Sequence, residues 1–446
     1  MKNKLVLIIF LFASFMQAQD NKPLTLKDAI SFALQNKADA KKAKLKVTNS
    51  EYQIQEVRSR ALPQISANGN ITYNPDIQTT FLDAGSFGGQ PGSIIKAKLG
   101  QTWTSTAGLS LNQAIFDQSV FVGLKAAKST REFYQINEQL TEDQIIERVA
   151  SAYYQVYVQR QKLTVIDSTF KNTTKIKTIV KSQFDNGLAK KIDLDRILVK
   201  LSNISTQRQQ ISNAVLLQEN ALKFYMGMPI ETKIIIPQTS FEVTPQALSE
   251  KPNTASRNEY LLLKKNEQLL EFQKKSIIAG FYPTLSLSGN YNFIGQGKKL
   301  PLGALPSDGV YWSNFSSIGV NLKVPIFTGF GTRARVRQAE NSLQSIKEDL
   351  NDTKLALDLD FENAKLQIDN SLVTIKTQKE NEQLAQEVMD NTKNNYYQGL
   401  ASLTDLLDAE NSLTEAQNNY TSALLDYKLA EIQLIKSKGE LKSLLK

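Results

Sequence analysis

Four segments of the chain alternate between apolar and polar side chains with a period of two. They span residues 64–73, 103–112, 284–293 and 317–324. This alternation predicts β-strands with one apolar and one polar face, and about ten residues is the length that a tilted strand needs to cross a bilayer. The apolar side chains that we expect to face lipid include Leu109, Leu111, Leu285, Leu287, Val320 and Leu322.

Proline and glycine mark the ends of these strands. Pro63 and Pro283 precede the first and third segments, and proline disfavours helix in the residue before it. The Gly- and Pro-rich segments 74–101 and 294–311 are predicted to be loops within the two strand pairs. Phe315 interrupts the fourth alternation and predicts a β-bulge. Long loops at one end of the strands are typical of outer-membrane barrels.

Four strands are too few to close a barrel. An open sheet edge in lipid leaves backbone N–H and C=O groups unpaired, at a cost of several kcal/mol each. Other copies of the chain must therefore complete the sheet, and two copies would supply eight strands, three copies twelve. Alternation alone also fits a soluble sandwich with one wet face, so that alternative stays open.

Two long segments without proline are predicted to be helices. Residues 116–184 and 331–397 would each extend roughly 100 Å at 1.5 Å per residue. Helices of this length indicate coiled-coil packing. The last helix repeats large residues every seven positions, with a small residue three positions after most of them. This seam comprises Leu406, Leu413, Tyr420, Tyr427, Leu434 and Leu441 with Ala409, Ala416, Ala423, Ala430 and Ser437. The helices alone fit a plain coiled-coil scaffold equally well.

The two halves of the chain resemble each other at an offset of about 212 residues. Residues 184–189 (FDNGLA) match 397–401 (YQGLA), and residues 114–117 (AIFD) match 325–328 (PIFT). Each half is predicted to contain a helix, a strand, a loop, a strand, a long helix, a glycine turn and a helix. We divide the chain into a signal peptide at 1–18, a first repeat at 19–226, a linker at 227–252 and a second repeat at 253–446.

The N-terminus has the parts of a signal peptide. Lys2 and Lys4 precede an apolar run, 5–16, that is too short to span a bilayer, and Ala18 offers a small residue before a cut at Gln19. The alternative is a buried first helix. We expect the mature chain to be exported.

Composition excludes several classes of function. The chain has no Cys and no His, which removes thiol nucleophiles, thiolate metal sites, imidazole bases and Ser-His-Asp triads. We predict no catalytic residues, no metal site, no cofactor and no enzymatic activity. The net charge of +9 comes from basic residues interleaved with acids, so no nucleic-acid partner is predicted.

Three motifs make the sequence similar to the TolC-type outer-membrane efflux proteins. The most specific is YYQGLASLTDLLDAE at residues 396–410. VPIFTGF at 324–330 resembles the strand-to-helix signature of that family, and FYMGMP at 224–229 resembles its end-of-repeat motif. The likeness extends over nearly all of the mature chain.

This resemblance implies a mixed α and β fold with an internal two-fold repeat. It implies a homotrimer with a trans-subunit transmembrane β-barrel, four strands per chain and twelve per trimer, in outer-membrane lipid. A long α-helical coiled-coil tunnel would lie in the periplasm, and the linker would be equatorial, with residues 234–236 and Phe241 in the belt. The function implied is the outer-membrane channel of a tripartite efflux or secretion system.

The resemblance also implies a docking site at two hairpin tips, formed by Gly187, Leu188, Gly399 and Leu400. In the family these tips meet a periplasmic membrane-fusion adaptor, which joins an inner-membrane pump. Glycine allows the tight reversal and the following leucine offers an exposed apolar side chain. The alternative is a simple helix C-cap with a buried leucine.

A periplasmic gate is implied at Asp405 and Asp408, with Asp193 and Tyr396 as partners. The two aspartates are three residues apart on one helix and share a face. In a trimer they would form two acidic rings that repel each other and attract cations. The alternative is that they only stabilise a helix N-terminus through its dipole.

The gate differs from the family pattern at one position. Ala401 stands where some members carry an arginine that ties the closed state. The closing contact is therefore weaker here or is made by Lys190 or Lys191. Two alternative functions stay open. The first is a type I protein secretion duct of the same family, and the second is a periplasmic coiled-coil scaffold. The transported substrate, the pump and the adaptor are not predicted.

Overall fold

The computed structural model describes residues 23–88, 90–237, 251–303 and 305–445. The predicted signal peptide and Phe241 lie outside these ranges. The chain divides into two compact units. The helical unit contains the chain up to Val47, Tyr134–Lys264 and Glu348–Lys446, and the sheet unit contains Thr48–Phe133 and Lys265–Lys347.

The elements follow one another in the order predicted for a duplicated chain. The helices are α1 (Leu26–Asn36), α2 (Ala38–Ser59), α3 (Gln118–Asp185), α4 (Lys191–Met226), α5 (Asn258–Ala279), α6 (Gly331–Tyr397) and α7 (Leu403–Lys438). The strands are β1 (Gln64–Tyr73), β2 (Thr79–Asp83), β3 (Ile94–Lys98), β4 (Trp103–Phe116), β5 (Thr284–Gly297) and β6 (Val310–Lys323). Helix, two long strands and two helices therefore occur twice, as the internal repeat requires.

The sheet unit is built around one four-stranded antiparallel sheet. Its order is β1-β4-β5-β6, so β1 and β6 form the two edges. The register brings apolar residues of neighbouring strands together on one face, which confirms the predicted pattern. The pairs include Ile65 with Leu111, Ala67 with Leu109, Leu109 with Tyr291, Leu285 with Leu322 and Leu287 with Val320.

The structure corrects the prediction at Phe315 and in both loops. β6 pairs with β5 in continuous register from Val310 to Lys323, so no bulge lies at Phe315. The register shift lies between Ala114 and Phe116 instead. The first predicted loop contains the β2–β3 hairpin. The second predicted loop is shorter than expected, because β5 continues to Gly297. Gly295 does not turn the chain but lies under the ring of Trp312, and glycine within a strand often marks such a close approach.

Aromatic rings gather at the end of the apolar face that carries the long loops. The rings of Tyr73 and Trp103 lie 4.6 Å apart. Phe293 stacks on Trp312 at 4.7 Å, and this indole covers the backbone of Gly295. Aromatic belts of this kind mark the boundary between membrane and water in membrane proteins.

The helical unit confirms the heptad seam of the last helix. In α7, Leu406, Tyr427 and Leu434 are almost fully buried, together with small residues of the same seam such as Ala423 and Ala430. Helices α4 and α6 also bury apolar residues, many of them seven positions apart, which are Ile197, Ile204, Val215, Leu222, Leu350, Leu357, Phe361, Ile368 and Ile375. The other faces of these helices are exposed and carry many apolar side chains, so the single chain has much exposed apolar surface.

The start of the predicted linker belongs to the helical unit and packs against its helices. Arg160 forms an ion pair with Glu219 at 2.6 Å and donates a hydrogen bond to the carbonyl of Ile234 at 3.0 Å. The amide of Leu24 donates to the carbonyl of Ile235 at 2.7 Å, and Ile236 is buried. None of the described helices contains an apolar stretch long enough to cross a membrane.

Candidate functional site

The two hairpin tips share one construction. At the first tip, Gly187 adopts φ +75°, its amide donates to the carbonyl of Phe184, and the amide of Leu188 donates to Gln183 at 2.8 Å. At the second tip, Gly399 adopts φ +74° and the amide of Leu400 donates to the carbonyl of Asn395 at 2.8 Å. This is a Schellman C-cap, in which glycine takes the left-handed conformation.

The leucine after each glycine projects from its tip. Leu188 is 82% exposed and Leu400 is 74% exposed. The alternative of a C-cap with a buried leucine therefore does not describe the single chain. Each tip presents one apolar side chain to whatever adjoins it.

Asp405 stabilises the start of α7. Ser402 is the N-cap residue, and its hydroxyl and amide donate to Asp405 Oδ2 at 2.7 and 2.9 Å, while the Asp405 amide donates to Ser402 Oγ at 3.2 Å. These hydrogen bonds, from the side chain first and the backbone second, lower the pKa of Asp405. The helix-terminus role left open by the sequence is thus present for Asp405, through a capping box.

Asp408 lies one turn further along and, like Asp405, is exposed. The residues between and beside them, among them Leu406, Leu407 and Ala409, are buried against the other helices. The two carboxylates therefore share the exposed side of α7. Asp405 is held as an anion by its cap, whereas Asp408 is not part of it.

The other predicted gate residues lie on the neighbouring helices. Asp193 is near Arg196, with 3.8 Å between Oδ1 and NH1. The Tyr396 hydroxyl lies 3.4 Å from Gln183 Oε1, so its hydrogen bond goes to Gln183 and not to Asp193. Burial, and second the charge of Asp193, raise the pKa of Tyr396, which therefore stays a neutral donor.

Arg196 joins the two hairpins, a contact that sequence reasoning missed. Its NH1 donates to Thr404 Oγ1 of α7 at 3.2 Å. Lys190 and Lys191 are exposed, and neither takes part in an ion pair between described residues. The spacing of Asp193 and Arg196, three residues apart on one helix, was the signal that could have found this arginine.

A buried polar cluster lies behind the carboxylates. Glu410 is only 3% exposed, accepts a hydrogen bond from Thr173 Oγ1 at 2.9 Å, and has no partner for Oε1. Burial raises the pKa of Glu410. Burial lowers the pKa of Lys200, opposed by the charges of Glu410 and Asp408, and Lys200 Nζ donates to Asn411. Sequence reasoning also missed Glu410. Its position on the apolar face of α7 was the signal that could have identified it as a buried acid.

The second face of the sheet is polar. Ser66 and Ser110 are hydrogen bonded through their hydroxyls at 2.8 Å, and the amide of Asn290 donates to Ser317 Oγ at 3.4 Å. Among the strand positions of this face, Lys323 carries the one charge. Hydroxyl and amide groups therefore form most of this surface.

An antiparallel sheet with one apolar and one polar face, continuous with helices of 68 and 67 residues, defines a channel protein of the outer membrane. The sequence profile described as outer membrane efflux protein matches residues 29–228 and 273–440. The chain belongs to the outer membrane efflux protein family.

Individual relatives have low sequence identity to this chain but align with most of its length. The chain is 24% identical over 342 residues to outer membrane protein TolC of Vibrio cholerae, covering 75% of this chain and 77% of that protein. It is 23% identical over 344 residues to alkaline protease secretion protein AprF of Pseudomonas aeruginosa, covering 73% and 68%. The crystal structure of the outer membrane protein VceC from Vibrio cholerae is similar with a TM-score of 0.71 at 17% identity, covering 93% of this chain and 96% of that one.

Family membership confirms the predicted fold, function and location. The protein is an outer-membrane efflux channel of the TolC family with a periplasmic helical tunnel, and a transporter rather than an enzyme. The predicted roles of the tip, gate and lipid-facing residues remain predictions.

Proposed function

We propose that three copies of this chain form a continuous duct, with a closed barrel of twelve strands and a periplasmic tunnel of helices. One observation carries this proposal, the open four-stranded sheet. Its apolar face suits lipid, but the outer edges of β1 and β6 face no other described strand. Unpaired edges are not tolerated in a bilayer, so β6 of one copy must pair with β1 of the next.

Cysteine crosslinking tests the trimer, since the chain contains no native cysteine. Ser317→Cys in β6 is combined in turn with Ser66→Cys, Asn68→Cys and Asn70→Cys in β1. We expect one combination to give covalent dimers and trimers on denaturing gels and nothing larger. Chains with a single cysteine are the control. A ladder that ends at the dimer would support an eight-stranded barrel and contradict this proposal.

The exposed leucines of the tips support a docking role. Leu188 and Leu400 follow matching C-caps in the two repeats. A trimer would therefore present six similarly placed leucine side chains, two from each chain, to a partner with apolar pockets. The partner we propose is a periplasmic adaptor that joins an inner-membrane pump. On a trimer these side chains would recur around one axis, and apolar surface gathered in this way is typical of interaction sites.

The docking role is tested by Leu188→Asp combined with Leu400→Asp. We expect export to be lost while trimers still reach the outer membrane, because the charge prevents apolar contact. Leu188→Met with Leu400→Met is the matched control and should retain export. A photoreactive residue at either position should capture the adaptor in cells. Normal export by the aspartate variant, or loss of its trimer, would count against docking.

We assign Asp405 and Asp408 to a cation-selective entrance. Both are exposed on the same side of α7, and the cap keeps Asp405 ionised. Three copies would place six carboxylates around one axis, which attracts cations and repels anions. Asp193 and Tyr396 would support this entrance from the neighbouring helices, because Asp193 lies near Arg196 and Tyr396 packs against the buried apolar cluster that contains Leu406.

The entrance is tested in planar bilayers with Asp405→Asn and Asp408→Asn, which remove charge and keep side-chain size. We expect the reversal potential in a KCl gradient to move towards zero and block by divalent cations to weaken. Asp390→Asn, which removes an exposed carboxylate of α6, is the control. Unchanged selectivity in the double variant would overturn the assignment.

Protein secretion is a second candidate for the duct. It is supported by the likeness to a relative named for alkaline protease secretion. Cells that lack their own channel separate the two functions. Restored resistance to small toxic molecules supports efflux, and restored release of a protein substrate supports secretion.

A further inference from the structure

The polar face of the four-stranded sheet carries one apolar patch. Its members are Ile294, Tyr311 and Phe315, which we name the inner apolar patch. Phe315 is opposite Asn292, Ile294 is opposite Ser313, and Tyr311 is opposite Gln296. Ile294 is therefore the diagonal neighbour of both aromatic residues, within reach of their rings. The patch lies towards the end of the sheet that carries the long loops.

The surroundings leave this patch open. Phe315 is 52% exposed and Tyr311 is 67% exposed. Asn292 does not cover Phe315, because its side chain extends over Gly108, where any Cβ would overlap Asn292 Oδ1. The continuous register of β5 and β6 fixes Phe315 on this face. Phe315 and Tyr311 are thus exposed to water on a face that otherwise carries mostly hydroxyl and amide groups.

We propose that the inner apolar patch binds the aromatic or aliphatic part of exported molecules as they pass through the barrel. This inference rests on the proposed trimeric barrel, in which the polar face lines the channel. Rings of tyrosine and phenylalanine accept apolar groups and organic cations. Since nearby strand positions of this face are uncharged, the patch selects for apolar surface and not for charge.

Barrel dimensions decide which occupant can reach the patch. Twelve strands about 4.8 Å apart and tilted by about 40° give a backbone radius of about 12 Å. Side chains of two facing sheets fill only about 10 Å between them. The three patches, related by the three-fold axis and about 21 Å apart, therefore cannot cover one another. A molecule in transit is the occupant that remains, apart from the chain's own loop after β5.

Current block in planar bilayers tests this inference. Tetraphenylphosphonium and tetramethylammonium carry the same charge, but only the first has aromatic surface. Each is added to the barrel side of the purified trimer. We expect tetraphenylphosphonium to block the wild type more strongly, and Phe315→Ser with Ile294→Ser to weaken that block by about tenfold. Block by tetramethylammonium should not change. Ile318→Ser, on the opposite face of β6, is the matched control.

Phe315→Leu keeps the fold testable if the double serine variant fails to assemble. It retains apolar surface but loses the ring, so its block should lie between those of wild type and double variant. Equal block by tetraphenylphosphonium in wild type and Phe315→Leu, or no preference between the two cations in wild type, overturns the inference. The second result also follows if the loop covers the patch. If the wild-type chain forms no conducting trimer, that result refutes the proposed trimeric channel and not this inference.

Discussion

Replacing the buried Glu410 by glutamine should stabilise the protein at neutral pH. Glu410 is 3% exposed, and Thr173 satisfies one carboxylate oxygen while the other has no partner. Leaving a buried polar group unsatisfied costs about 1–3 kcal/mol, and more when it is charged. Glutamine keeps the acceptor for Thr173 and removes the charge. Because its own amide also needs a partner, we expect a net gain of about 1–2 kcal/mol in the free energy of unfolding.

The pH dependence identifies the cause of this gain. Burial raises the pKa of Glu410 above the ordinary value of 4.5, so the folded chain holds the proton more tightly than the unfolded chain. The wild type is therefore relieved of the burial penalty below the unfolded pKa, and loses stability as pH rises through the folded pKa. Glu410→Gln does not titrate, so its advantage should be present at pH 7.5 and should vanish near pH 4.

Thermal unfolding in detergent, followed by circular dichroism at 222 nm, measures this difference. A gain of about 1–2 kcal/mol corresponds to a rise of about 1–2 °C in a chain of 446 residues, because the entropy of unfolding grows with chain length. Glu415→Gln, an exposed substitution on the same helix, is the control and should not change the melting temperature. A lower melting temperature for Glu410→Gln at pH 7.5 would refute the reasoning, because it would mean that Lys200 stabilises a charged Glu410.

Three further predictions concern the sheet and the tips. Leu287→Arg should reduce the stability of the inserted sheet by about 2–4 kcal/mol, whereas Ser286→Arg on the polar face should be tolerated; folding titrations in lipid vesicles compare them. Gly399→Ala should destabilise the tip by about 1–2 kcal/mol, because the φ angle of Gly399 is +74°. Gly331→Ala, at the start of α6 where no atom would contact the added Cβ, should have no such effect; thermal melts compare the two variants. Arg196→Ala should raise the resting conductance by releasing Thr404 but change stability by less than about 1 kcal/mol, and Lys190→Ala should do neither.

Periodicity predicted the larger features of the fold because they repeat over many residues. The start of the second long helix at Gly331 and its end at Tyr397 agree with the prediction, since glycine and turn signals bound the segment. The length of β5 was underestimated because Gly295 and Gly297 suggest a loop. A ring covers Gly295 and the backbone of β6 lies beside Gly297, and only the pairing of β5 with β6 reveals those contacts.

The candidate site was predictable only in part. Exposure of Leu188 and Leu400 follows from a local turn, which sequence signals describe well. Arg196 and Glu410 depend on which residues face them across two hairpins, and that information is not local. The Asp405 cap could have been predicted, because Ser402 and Asp405 have the spacing of a capping box. Phe315 was noticed as an exception but was explained by a bulge that does not exist.

Selection by charge and selection by apolar surface should be independent in this duct. The carboxylates Asp405 and Asp408 and the inner apolar patch share no residue and belong to different units of the chain. Free-energy effects at separate sites usually add to within about 0.3–0.5 kcal/mol. Asp405→Asn with Asp408→Asn should weaken block by both tetramethylammonium and tetraphenylphosphonium, whereas Phe315→Ser should weaken block only by the second. Combining all three changes should multiply the two factors for tetraphenylphosphonium. A combined loss much smaller than the product would mean that one site accounts for both kinds of selection.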